Sequence, residues 1–314
     1  MEITFLSNQA IMWLVFNVLV LVMLFIDLGL NRKSHEISFR EALSWTIIWI
    51  TLALFFNAGV YYFLGKTKAL EFFTAYVIEK SLSVDNLFVF IMIFAYFHIP
   101  RLYQPKILKW GIIGALVMRA IFIFVGIGLL ERFHWMIYIF GGILIFTGIK
   151  MAFGQEEKLD PEKNLMIRLV RKIVPITKRG YGDRFFIKKN GLRAATPIFL
   201  TLVMVESSDV IFAIDSIPAV LAVTRDPFIV YTSNVFAIMG LRALYFLLAS
   251  VMNMFLYLKQ GISVVLIFVG VKMLLAGTNY EIPVQFSLGV IFGVLVLSII
   301  ISITIGSMRR KQHP

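Results

Sequence analysis

Residues 284–307 read VQFSLGVIFGVLVLSIIISITIGS, 24 positions without a single Asp, Glu, Lys or Arg. A helix rises about 1.5 Å per residue, so this run is long enough to cross the roughly 30 Å hydrocarbon core of a bilayer. Comparable runs recur along the 314-residue chain, which is 60% hydrophobic and only 15% charged, with a mean hydropathy of +0.87. A soluble domain carries about 25% charged residues, so an ordinary soluble enzyme is excluded. A β-barrel would alternate polar and apolar positions over about ten residues, and that pattern does not occur. The sequence therefore predicts an all-α membrane protein with nine spans, at 9–30, 41–64, 71–97, 107–130, 134–153, 194–222, 228–252, 259–276 and 284–307.

The basic residues between these spans fall into two alternating sets. One set, containing Arg32, Arg101, the basic residues of 158–193, Lys259 and Arg309, holds 21; the other, Lys66, Lys68, Arg132 and Arg225, holds four. Basic loops stay cytoplasmic, so the N-terminus is expected outside and the C-terminus in the cytoplasm. The first span has no basic segment ahead of it and Asn31-Arg32-Lys33 behind it, which reads as a retained helix rather than a cleaved leader. The net charge of +12 is spread over loops, which argues against a nucleic-acid partner. With no cysteine in the chain, disulfides, thiolate metal ligands and thiol catalysis are excluded. Segment 154–193 is the one sizeable extramembrane piece. Leu165, Leu169 and Ile173 share a helical face beside Arg168, Arg171 and Lys172, which suggests a basic helix on the inner leaflet, with a solvated linker as the alternative.

Part of the sequence repeats. LIFTGIKM at 144–151 matches LIFVGVKM at 266–273, Arg119-Ala120 matches Arg242-Ala243, and Glu79 and Asp85 match Asp209 and Asp215, six residues apart in both copies. This divides the chain into 1–64, the first two spans; 71–153, unit A; 154–193, the basic loop; 194–277, unit B; and 284–307, the ninth span. Each unit has three helices, so the second enters from the opposite side. That is the inverted repeat of many secondary transporters, whose sites lie near midplane between the units.

Five acids sit inside spans: Glu79, Asp85, Glu206, Asp209 and Asp215. Each charge at a helix centre costs about 2.5–3.5 kcal/mol, so a bound cation, a proton, water or a basic partner such as Lys80, Arg119, Arg242 or Lys272 must offset it. At about 100° per residue Glu79, Ser83 and Asn86 share a face, Asp85 points about 120° from Glu79, and Asp215 lies roughly opposite Glu206. One straight helix cannot aim all five at a point. Pro218 therefore predicts a kink or unwound turn near Asp215. Carboxylates, the Asn86 amide, the Ser216 hydroxyl and backbone carbonyls form an oxygen-rich donor set suited to Mg²⁺, Ca²⁺ or Mn²⁺.

The stretches EKSLSVDNLFVF (79–90), KNGLRAATP (189–197), ESSDVIFAIDSIPAV (206–220) and TSNVFAIMGLRALYFLL (232–248) closely resemble the TerC/Alx family of bacterial integral membrane proteins. The resemblance covers nearly the whole chain. It implies residence in the bacterial cytoplasmic (inner) membrane, inverted three-helix repeats and a metal-ion role, chiefly manganese efflux, with tellurium resistance and alkaline or redox response as older labels. The family's acids fall here on Glu79, Asp85, Glu206, Asp209 and Asp215, with Asn86 and Ser216 as polar companions. The resulting expectation is a secondary transporter exporting Mn²⁺, with Ca²⁺ as an alternative cargo, through a midplane carboxylate site exchanging with protons. No GxxxxGK[ST], HExxH or nucleophile–base pattern occurs, so neither ATP drive nor enzymatic activity is expected. The rival expectation is a membrane scaffold that supplies metal to, or docks, protein partners through loop 154–193.

Overall fold

The computed structural model describes residues 2–29, 37–153, 165–177, 182–189, 192–251, 258–276, 278, 280 and 282–312. The chain divides into two units, Met1–Glu36 and Ile37–Pro314. The first holds a single helix, α1 (Glu2–Gly29), whose stretch Ala10–Asp27 is long and apolar enough to cross a bilayer.

The second unit begins with α2 (Phe39–Leu64), α3 (Lys66–Tyr96), α4 (Gln104–Arg132) and α5 (Met136–Phe153). Ser38 starts α2 by accepting a hydrogen bond from the Glu41 amide, relieving one of the unpaired donors of the first turn. A short helix, α6 (Leu165–Ile173), and an antiparallel hairpin, β1 (Phe186–Lys189) with β2 (Leu192–Ala195), lead into α7 (Pro197–Leu221). The hairpin, in register Phe186 to Ala195, modifies the all-α expectation. Residues 154–164 and 178–181 of the predicted basic loop lie outside the described residues. The unit ends with α8 (Pro227–Ile238), α9 (Leu241–Val251), α10 (Leu258–Leu275) and α11 (Val284–Gln312).

Among the described residues, six helices are long and apolar enough to span a membrane: α1, α2, α4, α5, α7 and α11; the bent pair α8–α9 makes up to seven. The expected single span 228–252 is thus two helices meeting at 44°. Gly240, at φ +80°, provides the break, and an added Cβ there would stand 2.6 Å from the Trp49 ring, so that ring and a side chain at 240 exclude each other. The carbonyls freed at the end of α8 accept hydrogen bonds from the Lys80 ammonium, Ala237 at 3.2 Å and Met239 at 3.5 Å. The unwound turn expected near Asp215 does not occur: α7 is one helix through Asp215 and Pro218 to Leu221, although Pro218 withholds the amide that would serve the Ile214 carbonyl.

Half of α7's apolar window is buried, against 17% for α2. α7 packs on α3 and α4, and α3 also meets α2, α8, α9 and α11, so these two acid-bearing helices form the centre of the unit. The most extensive helix pairing is α5 with α10. It is a close seam at glycines. A Cβ on Gly148 would stand 2.7 Å from Ile267 Cγ1 and 2.8 Å from the Ser263 carbonyl; one on Gly270 would stand 2.8 Å from Ile145 Cγ1 and 2.8 Å from the Gly141 carbonyl. Gly148 and Gly270, Ile145 and Ile267, and Gly141 and Ser263 are matched positions of the sequence repeat. The contact is therefore reciprocal: each glycine meets the isoleucine and the carbonyl of the facing helix that correspond to those its counterpart meets.

Candidate functional site

Where α3, α4, α7 and α8 meet, four polar side chains form a buried chain. Glu79 of α3 is fully buried. One carboxylate oxygen, Oε2, pairs with Nη1 of Arg119 from α4; the other, Oε1, accepts a hydrogen bond of 2.7 Å from Asn234 Nδ2 of α8. Nη2 of Arg119 lies 3.7 Å from Oδ1 of Asp209 on α7. Two carboxylates thus share one guanidinium that is itself 2% exposed. A buried ion pair persists only where hydrogen bonds occupy the remaining polar atoms. Here several do not find one: Asp209 Oδ2, Arg119 Nε, Asn234 Oδ1, Ser83 Oγ and Ser216 Oγ are buried without a hydrogen-bond partner. Among the described residues these are spare donor and acceptor positions around an anionic centre.

The remaining acids are placed differently. Glu206, half-buried and one helical turn before Asp209, rests against Gly114 of α4, where an added Cβ would land on its carboxylate. Asp215 accepts a 2.8 Å hydrogen bond from Thr147 Oγ1 of α5, away from the Arg119 chain. Asn86 is buried on α3. The side chain of Asp85 lies outside the described residues. Among the described residues no three acidic or histidine side chains converge as a metal cage. Of the five acids expected at the carboxylate site, Glu79 and Asp209 form a paired core, with Glu206 beside it and Asp215 bonded to α5 instead. Asn234, Thr147 and Gly114 were not among the expected site residues, although Asn234 lies in TSNVFAIMGLRALYFLL and Thr147 in LIFTGIKM.

A second polar cluster lies at the start of α3, at the edge of the expected span 71–97. Lys68 Nζ is 3.0 Å from both Glu71 Oε2 and Asp226 Oδ2, and Thr224 Oγ1 donates to Glu71 Oε2 at 2.6 Å. Partial burial works against the Lys68 charge, but its hydrogen bonds and attraction to Asp226 and Glu71 outweigh this and hold its pKa above the ordinary lysine value. Asp226 also caps α8, with Oδ1 accepting from the Phe228 and Ile229 amides. The cluster therefore links the entry of α3 to that of α8, and both helices reach the Glu79 core.

The sequence pattern of the family described as "Integral membrane protein TerC family" matches residues 64–311, the stretch that contains every helix of this site. The chain belongs to the TerC family. It is a multi-pass integral membrane protein and sits in a lipid bilayer. Its TerC relatives are bacterial. A protein of Myxococcus xanthus named "Uncharacterized membrane protein STKORF319" is 50% identical over 293 residues, covering 93% of this chain and 92% of that protein. Proteins named "Putative membrane-bound redox modulator Alx" in Salmonella typhi and Escherichia coli K12 are each 47% identical, covering 96% of this chain and 97% of theirs. No solved structure matches the chain.

Proposed function

We propose that this TerC protein is a secondary transporter that carries a divalent cation, Mn²⁺ first and Ca²⁺ as the alternative, out of the bacterial cytoplasm across the inner membrane. The observation that carries the reading is the excess of buried negative charge: Glu79 and Asp209 share one guanidinium, with Glu206 alongside and Asp209 Oδ2 unpartnered. A carboxylate oxygen left unpaired in a low-dielectric interior is costly unless a cation or proton visits it. The donors present are hard oxygens, the class that Mn²⁺, Ca²⁺ and Mg²⁺ take. Arg119 then serves as the resident counter-charge, held while cargo is absent and shifted when a dication reaches Asp209.

The architecture we attach to this activity is nine spans with an inverted repeat, spans three to five against six to eight, with the N-terminus outside and the C-terminus in the cytoplasm. The reciprocal Gly148 and Gly270 contacts support a two-fold relation between the units, and three helices per unit make that relation inverted. Rocking of one unit against the other supplies alternating access, and protons returning to the acids release the ion. The word redox in the relatives' names fits this reading through metal supply, because a chain without cysteine has no thiol couple of its own.

Purified protein in liposomes, loaded with a metal-sensitive dye and offered Mn²⁺, Ca²⁺, Mg²⁺ and Zn²⁺ with and without a pH gradient, tests the proposal. Flux of at least one hard dication is expected, falling more than about tenfold in Asp209→Asn, by analogy with the loss of a group supporting a metal site. Absence of flux for every ion, or undiminished flux in that variant, overturns it.

A further inference from the structure

The platform formed by α6 and the β-hairpin has a feature the transport site does not use. Ile167 of α6 is buried, yet Leu165, Leu169 and Ile173 are 65%, 45% and 78% exposed. At about 100° per residue these three fall within about 80° of arc. Arg168, Arg171 and Lys172, all exposed, occupy an adjoining arc of about 100°. The helix thus has three faces: one against the protein, one apolar and bare, one basic. A helix in water does not keep an isoleucine and two leucines bare beside a cationic stripe without cause, and this division is that of a helix lying in a membrane interface.

Hydrogen bonds tie the end of α6 to the entry of α7. Just beyond α6, the Pro175 carbonyl accepts from the Ala195 amide at 2.8 Å and the Thr177 amide donates to the Ala195 carbonyl at 2.9 Å. Thr196 is tied to the hairpin, its amide donating to Phe185 O at 3.0 Å and its hydroxyl to Arg184 O at 2.6 Å. Pro197, the next residue, opens the span α7. The end of α6 therefore sits beside the start of α7, a helix long and apolar enough to cross a bilayer. Aromatic rings gather at the same place: Phe186 packs on Phe199 at 4.5 Å, Trp110 meets Phe185 at 6.5 Å, and Lys106 lies 5.1 Å from the Phe185 ring centre. Of these, Trp110 is the ring type that gathers in the headgroup zone of spanning helices.

We infer that α6 is an anionic-lipid recognition element, inserting Leu165, Leu169 and Ile173 among acyl chains while Arg168, Arg171 and Lys172 engage negatively charged headgroups. This inference is independent of what the transport site carries. Each basic residue close to an anionic leaflet favours the docked state about fivefold, so three together favour it on the order of a hundredfold.

The chain contains no cysteine, so Leu169→Cys and Ile173→Cys each give one labelling position in the full-length protein. Spin labels there are read by power saturation with oxygen and with a water-soluble nickel chelate, in nanodiscs of phosphatidylcholine alone or mixed with phosphatidylglycerol. The expected result is shielding from nickel and access to oxygen in the phosphatidylglycerol discs. Nickel access should return in phosphatidylcholine, and in phosphatidylglycerol when Arg168→Gln, Arg171→Gln and Lys172→Gln are combined. The comparison of the two lipid compositions needs no charge variant and stands if the triple variant fails to fold. Equal nickel access in both lipids overturns the inference in favour of a solvated segment. Equal shielding in both lipids and in detergent overturns it in favour of protein covering the face.

Discussion

Removing Arg119 should leave Glu79 and Asp209, 0% and 5% exposed, facing each other across the helix interface without their common cation. Breaking a buried pair by deleting one partner costs about 3–5 kcal/mol, since the surviving charge remains desolvated. Here two carboxylates survive, so Arg119→Met should fall at the upper end of that range when divalent ions are chelated. If the same carboxylates bind a dication, saturating metal replaces the lost guanidinium, and a ligand at 100 times its Kd restores about 2.7 kcal/mol. The assay is the thermal transition of detergent-purified protein, followed by the fluorescence of its five tryptophans, in chelator and across a Mn²⁺ titration with Na⁺ as control. The expected pattern is a large drop in chelator, substantial recovery in Mn²⁺ and none in Na⁺. The combined variant Glu79→Gln, Asp209→Asn, Arg119→Met, which has no buried charge at these positions, should regain stability without metal and ignore Mn²⁺. An Arg119→Met protein as stable as the parent in chelator would refute the structural premise; a drop that no divalent ion repairs would refute the metal premise.

Two further outcomes follow from packing and charge. Gly148→Ala and Gly270→Ala each force a Cβ to within 2.8 Å of the facing helix and should each lower stability by about 1–3 kcal/mol, by similar amounts if the contact is two-fold. Gly289→Ala, where a Cβ meets nothing within 4 Å, should be neutral or slightly stabilising in the same thermal assay, as an exposed helical glycine is. The Lys68 cluster stabilises the protein while its ammonium is charged. Because its folded pKa is raised, that contribution is complete below the unfolded value of about 10.4 and disappears as pH rises through the higher folded value. Lys68 is about one-third exposed, so the effect should not exceed about 1 kcal/mol. Asp226→Asn, which keeps an acceptor for the α8 amides, should flatten stability between pH 9 and 12, about the lysine range, while Asp226→Ala should cost about 1 kcal/mol more through the lost cap.

The helices were legible because hydropathy over twenty residues is a property of composition, and span ends such as 41–64 against Phe39–Leu64 or 134–153 against Met136–Phe153 fall within two residues. Hydropathy does not sense φ. It therefore carried 228–252 straight through Gly240, whose left-handed turn suits glycine and whose missing side chain leaves room for Trp49, nearly two hundred residues earlier. The hairpin had a local mark, Asn190-Gly191 between two short runs, the strongest short-range sign of a two-residue turn. At the site, residue type identified the acids, but partner choice is tertiary. Arg119 could be named as a counter-charge from its burial in a span, whereas the bridge to both Glu79 and Asp209, and the Asn234 amide, exist only because α4 and α8 close over α3 and α7.

That bridge is uneven, and the unevenness indicates a direction. Glu79 has both oxygens engaged, one by Arg119 and one by Asn234; Asp209 has one oxygen at 3.7 Å from the guanidinium and the other without a partner. An arriving dication that took Glu79 would have to displace two donors at once. One that took Asp209 would displace at most one weak contact and would find Glu206, half-exposed and a single turn away, as a second anionic ligand. On the transport reading Asp209 and Glu206 are therefore the first to meet the ion, and Glu79 joins only when Arg119 moves. On that reading Glu79, Asp209 and the one guanidinium between them would act as a two-position element, the kind of bistable arrangement that a rocking transporter needs. The order has a kinetic consequence. Glu206→Gln should weaken Mn²⁺ binding, read as a higher concentration for half-maximal flux, whereas Glu79→Gln should leave that concentration nearly unchanged and lower the maximal rate. The reverse assignment would place first contact at Glu79 and break the link between the uneven bridge and the path of the ion.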